Sequence, residues 1–347
     1  MDYNNLIDQN ETILEALKKL GSIRNLSRLI LFVKNNKNKI LGTVTDGDIR
    51  RSLIKHNDLK KKIGEICNRD FVYITNTDVY IDFKKEYLNK NIKILPVLNN
   101  EMHLVDIIDL KKVESNLPLE CVIMAGGRGK RLSPLTDKIP KPMLMLGSKP
   151  IIEHNIDRLI KFGIKKIYIS VNYLSNIIKD YFGDGSSKGI EIHYIEESKP
   201  LGTAGSLTLV EKFKTNHILL MNSDLFTNID FEKMYRSAVE KKSSITLASK
   251  DYKVDVPYAI FDSKNSIING FKEKPVYNYN LNAGIYILRK EIINKIPKDT
   301  FYDITDLIEK LIQNNEIVSH TVISGYWIDI GKKEDYLKAQ ELILNIK

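Results

Sequence analysis

Two rhythms of apolar positions divide this chain. Apolar residues from Ile13 to Leu20 recur at helical spacing. The runs Leu29–Val33 and Ile40–Val44, joined by the polar turn Asn35–Asn38, predict two paired strands. Thr45-Asp46-Gly47-Asp48 follows, and Ile49–Ile54 begins another helix. The same order then returns: a strand near Val72–Ile74, a helix from Asp78 to Leu88, and strands Ile94–Leu98 and His103–Ile108 around the turn Asn99-Asn100. A β-α-β-β-α unit used twice predicts a small α+β domain over residues 1–115.

The segment Glu114–Glu120, with Pro118, reads as a linker, and a different rhythm starts after it. Cys121–Ala125, Lys166–Val171, Ile190–Ile195, Ile218–Met221 and Ser244–Leu247 are short apolar runs separated by helical stretches. That alternation predicts a Rossmann-like α/β domain over residues 120–347, with a mainly parallel sheet flanked by helices. Such sheets place ligands beyond the carboxyl ends of their strands, so the residues that follow each run are the ones to inspect.

Composition narrows the setting. A chain of 347 residues fits two domains, at least one with a sizeable core. Its apolar runs fall far short of the roughly 18 residues that span a bilayer. The start Met1-Asp2-Tyr3-Asn4-Asn5 lacks the basic region of a signal peptide. No membrane partner is expected. Cys67 and Cys121 lie far apart, which fits a reduced, cytoplasmic protein. The net charge of +9 comes from lysine spread along the chain. Lys60-Lys61-Lys62 and Lys241-Lys242 read as solvated helix ends, so no nucleic-acid partner is expected.

The run Cys121–Ala125 leads into Gly126-Gly127-Arg128-Gly129-Lys130-Arg131-Leu132-Ser133-Pro134-Leu135-Thr136, and then Pro140-Lys141-Pro142-Met143. Glycines this dense let backbone N–H groups approach a phosphate without a Cβ in the way. A P-loop would need glycine where Met124 stands and Ser or Thr where Arg131 stands. A dinucleotide fingerprint would need a small residue in place of Leu132. Both are excluded.

These two strings resemble the signature of the sugar nucleotidyltransferase family, and further motifs carry the resemblance from about residue 120 to 340. The resemblance implies that Ala125, Gly126, Gly127 and Gly129 hold the nucleotide, and that Arg131 and Lys141 are the catalytic cations on the triphosphate. Arg131 offers a planar fork and Lys141 a point charge. Glu196-Glu197-Ser198-Lys199-Pro200-Leu201-Gly202-Thr203-Ala204-Gly205 resembles the family's second nucleotide loop, with Glu197, Gly202 and Thr203 near the base. A carboxylate only accepts hydrogen bonds, which suits the adjacent N1–H and N2–H₂ of guanine and points to GTP. Asn222-Ser223-Asp224 and Trp327-Ile328-Asp329 resemble the metal motifs, implying Asp224 and Asp329 as ligands of Mg²⁺. Glu273-Lys274-Pro275 and Asn282-Ala283-Gly284 resemble the acceptor site, implying Tyr258, Glu273, Lys274 and Asn282 at the sugar phosphate. Ala259 stands where many relatives have glycine, which puts the carry-over of sugar identity in doubt.

In the first domain, Gly42-Thr43-Val44-Thr45-Asp46-Gly47-Asp48 resembles a CBS repeat, implying Thr45 and Asp48 at the ribose of an adenine nucleotide. The second repeat has Asp109 and Lys112 in their places, so at most one ribose site is expected; a ligand-free docking scaffold is the other reading. Together the motifs imply in-line transfer of a nucleoside monophosphate to a sugar 1-phosphate by a homo-oligomer. A CBS pair ahead of a short transferase resembles the guanylyltransferases that act on glucosamine 1-phosphate for legionaminic acid synthesis. The mannose 1-phosphate branch is the alternative, and a non-catalytic nucleotide sensor the remote one.

Overall fold

The computed structural model describes residues 5–23, 26–75 and 87–346. The chain splits into two compact units, Met1–Asn116 and Leu117–Lys347.

The first unit begins with β1 (Leu6–Asp8), α1 (Ile13–Ser22), β2 (Ile30–Lys34), β3 (Ile40–Thr45) and α2 (Asp46–His56). It continues with β4 (Ile74–Thr75), β5 (Ile94–Leu98) and β6 (Leu104–Asp109). In each repeat the first strand pairs parallel with the second, and the second antiparallel with the third. The repetition seen in the sequence is thus present in the sheets. Of the helix expected from Asp78 to Leu88, residues 78–86 lie outside the described residues. The three-residue β1 is too short for periodicity to reveal. Helix α2 starts earlier than its apolar run because Thr45 and Asp48 form a capping box. Ile7, Ile13, Leu31, Val44, Ile49 and Ile63 are fully buried and hold the first repeat together.

The second unit runs β7 (Leu119–Met124), a small ladder of β8 (Met145–Leu146) with β9 (Lys149–Pro150), α3 (Ile151–Lys161), β10 (Lys166–Val171), α4 (Ser175–Phe182) and β11 (Glu191–Glu196). Then come β12 (His217–Asn222), β13 (Leu225–Thr227), α5 (Phe231–Glu240), and the strands β14 (Ile245–Asp255), β15 (Ile260–Lys264), β16 (Ile267–Lys272) and β17 (Val276–Arg289). The last elements are α6 (Ile304–Gln313), β18 (Val318–Val322), β19 (Trp327–Asp329) and α7 (Lys333–Asn345). Seven strands form one sheet in the order β11-β10-β7-β12-β17-β14-β18. Only β17 runs against the rest. The mainly parallel sheet expected from the sequence is therefore present. Val122, Ile218, Leu220, Ile245 and Leu288 are nearly or wholly buried in it, because parallel strands covered on both faces need apolar side chains on both. No helix among the described residues is long and apolar enough to cross a membrane.

Helix α3 is fastened to the following layer by charge. Lys188 Nζ donates to Glu153 Oε1 at 2.6 Å and Asp157 Oδ1 at 2.7 Å, and Tyr181 donates to Glu153 Oε2 at 2.6 Å. Burial alone would raise the Glu153 carboxyl, but the hydrogen bonds from Lys188 and Tyr181 hold it below its ordinary value. Burial likewise opposes, and Lys149 and Lys188 reverse, the shift at Asp157. A depressed carboxyl contributes stability above its unfolded pKa and loses it as pH falls through the folded one. Lys188→Met should therefore cost about 2 kcal/mol in urea unfolding near neutral pH. Its gap to the wild type should shrink below about pH 4 as the carboxylates protonate.

Candidate functional site

Four strands of the sheet end at one cleft of about 600 Å³ in the second unit. The residues beyond β7, β10, β11 and β12 supply Gly126–Arg131, Asn172, Glu197, and Asn222–Asp224 to its wall. This is where a parallel α/β sheet leaves its strand-end backbone groups and loops to meet a ligand.

The glycine loop is shaped by close contact. Gly129 has φ +61°, and a Cβ there would stand 3.0 Å from Lys141 Cβ and 3.1 Å from Thr136 Cγ2. Thr136 also donates its hydroxyl to the Gly129 carbonyl at 2.8 Å. A side chain at this position would push the loop off Lys141, so its glycine is a steric requirement. Gly126 and Gly127 line the cleft. Ala125 does not: it is buried, and its N–H is used by the Ser170 carbonyl at 2.8 Å. Arg128 extends over the ring of Tyr173, 5.2 Å from its centroid.

Of the four charged residues singled out by the sequence, Arg131, Lys141 and Asp224 line the cleft, and Asp329 is not on its wall but lies close enough to feel the charge of all three. Lys141 pairs with Asp224 Oδ2, with side chains only 11% and 20% exposed. The other oxygen, Asp224 Oδ1, is buried and has no hydrogen-bond partner among the described residues. Strand β19 runs antiparallel to β13 and places Asp329 opposite Leu225, one residue beyond Asp224. The Ile330 N–H closes the corner on the Asp224 carbonyl at 3.0 Å. Burial raises the Asp329 carboxyl above its ordinary value, and the charge of Asp224 raises it further, while Lys141 and Arg131 pull it back. The guanidinium of Arg131 lies against Gly331, where a Cβ would stand 3.5 Å from Nη2. The result is two carboxylates and two cations in one corner. Among the described residues no group of three or more His, Cys, Asp or Glu side chains could hold a metal, so a hard divalent ion here would share its shell with water and phosphate.

The second nucleotide loop is built differently from the sequence reading. Glu197 lines the cleft, but its carboxylate is engaged on both oxygens, by the Ser170 hydroxyl and by the Leu201 N–H at 3.0 Å. Gly202 has φ +74°, and a Cβ there would stand 2.7 Å from the Tyr302 carbonyl. Thr203 gives its N–H and hydroxyl to Asp303 Oδ1 at 3.0 and 3.2 Å. Its hydroxyl also accepts the Ile304 N–H at 2.8 Å. The loop is thus clamped to the start of α6, and Phe301 and Asp303 join the cleft wall. Sequence reading missed these two, along with Asn172 and Ser223. Asn172 follows β10 directly, so inspection of every strand end would have found it.

The acceptor-site residues stand apart from this wall. Tyr258, Glu273 and Lys274 are exposed on the ribbon beyond the core, and Lys274 has φ +42°. Asn282 is closer to the site: it accepts the Gly284 N–H at 3.1 Å, and a Cβ on Gly284 would collide with Asn222 at 2.7 Å. Trp327 Nε1 donates to the Ala283 carbonyl at 2.9 Å, tying β19, which carries Asp329, to β17.

A second cavity, also about 600 Å³, lies within the first unit. Thr45 and Asp48 line it, with Arg28, Arg51, Lys93 and Phe71. The Thr45 hydroxyl and N–H both reach Asp48 Oδ2, at 2.6 and 2.8 Å. In the second repeat Asp109 is buried and accepts the Ser27 N–H and hydroxyl at 2.7 and 2.6 Å. That position is consumed by an internal contact.

Removing Lys141 would strand a largely buried carboxylate beside Asp329. Lys141→Met should cost about 3 kcal/mol in chemical unfolding, and adding Asp224→Asn should recover a large part of it. Equal, additive losses would show that the pair is not coupled.

A model of the family described as Nucleotidyl transferase matches residues 120–346, and a model of the CBS domain matches residues 5–55. The chain is 32% identical over 226 residues to a D-glycero-alpha-D-manno-heptose 1-phosphate guanylyltransferase of Aneurinibacillus thermoaerophilus, covering 64% of this chain and 97% of that one. It is 33% identical over 235 residues to a mannose-1-phosphate guanyltransferase of Debaryomyces hansenii, spanning 64% of each. Its fold matches the crystal structure of HddC from Yersinia pseudotuberculosis complexed with GMP-PN with a TM-score of 0.52 and 28% identity, over 65% of this chain and 99% of that chain.

Proposed function

This chain belongs to the nucleotidyl transferase family, and from that premise we propose that it transfers GMP from GTP to a sugar 1-phosphate. An oxygen of the sugar phosphate attacks the α-phosphorus of GTP in line. The α–β bridging bond breaks, pyrophosphate leaves, and a GDP-sugar forms. The observation that carries this reading is the convergence of Arg131, Lys141, Asp224 and Asp329 beside the glycine loop at the strand ends. Transfer of this kind needs positioning and charge stabilisation more than a covalent nucleophile.

The residues do distinct work. N–H groups of the glycine loop face the phosphates, and Arg131 and Lys141 stabilise charge that builds on them. Asp224 and Asp329 would hold Mg²⁺; an Asp224 Oδ1 without a partner among the described residues, and an Asp329 carboxyl raised by burial and then by the charge of Asp224, both fit a bound cation. When bound, that ion neutralises phosphate charge. Guanine is supported by the carboxylate of Glu197 at the loop and by relatives named as guanylyltransferases. The remaining lone pairs of Glu197 are the acceptors for N1–H and N2–H₂.

For the acceptor, glucosamine 1-phosphate is the first reading, from the resemblance of a CBS pair on a short transferase to enzymes of legionaminic acid synthesis. Heptose or mannose 1-phosphate is the second, favoured by the relatives' names. In the first unit, the cavity with Thr45, Asp48 and several cations would take an adenine nucleotide.

Pyrophosphate release across a matrix of nucleoside triphosphates and sugar 1-phosphates tests the activity. GTP should turn over fastest, and a preference for UTP or dTTP would refute the guanine assignment. Asp224→Asn should lower kcat by ~10²-fold or more in Mg²⁺; wild-type turnover would remove the metal assignment. Titration of AMP into the full chain should release or absorb heat in the wild type and not in Thr45→Val.

A further inference from the structure

The second nucleotide loop is held by a segment about a hundred positions later in the chain. Tyr302 donates its N–H to the Leu201 carbonyl at 2.8 Å, and its own carbonyl accepts the N–H groups of Ala204 and Gly205, both at 3.0 Å. Glycine permits this approach: a Cβ on Gly205 would stand 2.9 Å from the Thr300 carbonyl. Lys199 and Asp299, 3.0 Å apart, add an exposed ion pair along the same seam. The Tyr302 side chain packs against the buried core of the sheet. Its neighbour Phe301 does the reverse: it lines the cleft and is 59% exposed. An aromatic ring carried on a backbone bonded in this way is preorganised, because little freedom is left to lose when a partner arrives.

Phe301 is the one aromatic residue among the described residues that line the cleft. In the same cleft the glycine loop presents bare backbone, and a Cβ on Gly127 would meet nothing within 4 Å. Polar groups stand behind Gly126: a Cβ there would lie 3.4 Å from Asn172 Cβ and 3.6 Å from Glu197 Oε1. Asn172 Nδ2 donates to the Glu197 carbonyl at 2.9 Å, which leaves the amide oxygen of Asn172 as an acceptor. The cleft therefore offers an aromatic face together with polar groups beside the glycines. A flat ring with π-faces and a hydrogen-bonding edge has that same division of chemistry.

We propose that Phe301 is the stacking surface for the nucleobase, an inference that rests on the cleft holding a nucleotide as set out above. Every base has a π-face, so stacking on an aromatic side chain is tolerant of base identity. Phe301 thus sets how tightly the nucleoside is held, and the choice of base falls to the edge groups at Asn172 and Glu197. The sugar ring of the acceptor is the other flat occupant to consider. The segment that carries Phe301, however, is bonded to the nucleotide loop, and Glu273 and Lys274 stand apart from this wall.

Titration of GDP and of inorganic pyrophosphate into the full chain tests the role without turnover. Phe301→Ser should weaken GDP about 10-fold or more and leave pyrophosphate binding unchanged. Its unfolding midpoint should match the wild type, since the truncated side chain is mostly in solvent. Phe301→Trp should restore GDP binding. In turnover, the serine variant should lower kcat/KM for GTP and for the next-best nucleoside triphosphate by the same factor, with KM for the sugar phosphate unchanged. Unchanged GDP affinity in the folded serine variant, an equal loss for pyrophosphate, or a rise confined to KM for the sugar phosphate would overturn the proposal. A wild type that binds no nucleoside diphosphate would remove the proposed function and this inference together. A wild type that prefers another base, and loses it equally in the serine variant, would remove only the guanine assignment and support Phe301 as the stacking surface.

Discussion

Two carboxylates of like charge, set side by side by the β13·β19 ladder, are the constraint on which the rest of the site depends. Burial and the neighbouring charge of Asp224 raise the Asp329 carboxyl, and positive charge close by offsets them. Lys141 supplies it to Asp224 directly, and Arg131 supplies part of it to Asp329. One oxygen of Asp224 still has no partner among the described residues. The corner therefore retains an unmet demand for positive charge beside a loop whose backbone favours anions. The glycine at position 129 belongs to the same arrangement, because Lys141 reaches Asp224 only by packing where a side chain would otherwise be.

Much of this was legible from the residues. The parallel sheet is visible because each strand is a separate apolar run, and the cleft because ligands gather at strand ends. The four charged residues were found through their motifs, and the fold brings them into one corner. What stayed hidden is long-range pairing. Glu197 looks like an open carboxylate until Ser170 is seen to hold it. Thr203 looks like a free loop residue until Asp303, a hundred positions later, takes both its donors. The outer ribbon was missed for another reason: past Leu247 apolar and polar residues alternate in solvent, with no buried face to anchor a reading. Its acceptor motifs were legible as strings, but not their distance from the cleft wall.

The first unit shows how a repeat can keep its fold while its two halves diverge in chemistry. Both halves have the same parallel and antiparallel pairings. In the first, Thr45 and Asp48 remain at a cavity rim. In the second, Asp109 turns inward to hold the Ser27 backbone and hydroxyl. A polar side chain that has become a structural brace no longer presents its lone pairs to a ligand, so the asymmetry of the repeats is set by hydrogen bonding rather than by topology.

The pairing of β13 with β19 also bears on biosynthesis. Asp224 immediately precedes β13 and Asp329 ends β19, about a hundred residues later in the chain. During translation the glycine loop, Lys141 and the first carboxylate emerge early, and the β-sheet around them can begin to assemble. The second carboxylate is delivered only once residues 327–329 have been added and have paired with β13. Until those residues pair with β13, the corner holds one of its two carboxylates, so its charge is completed by a late, long-range strand pairing rather than by local folding.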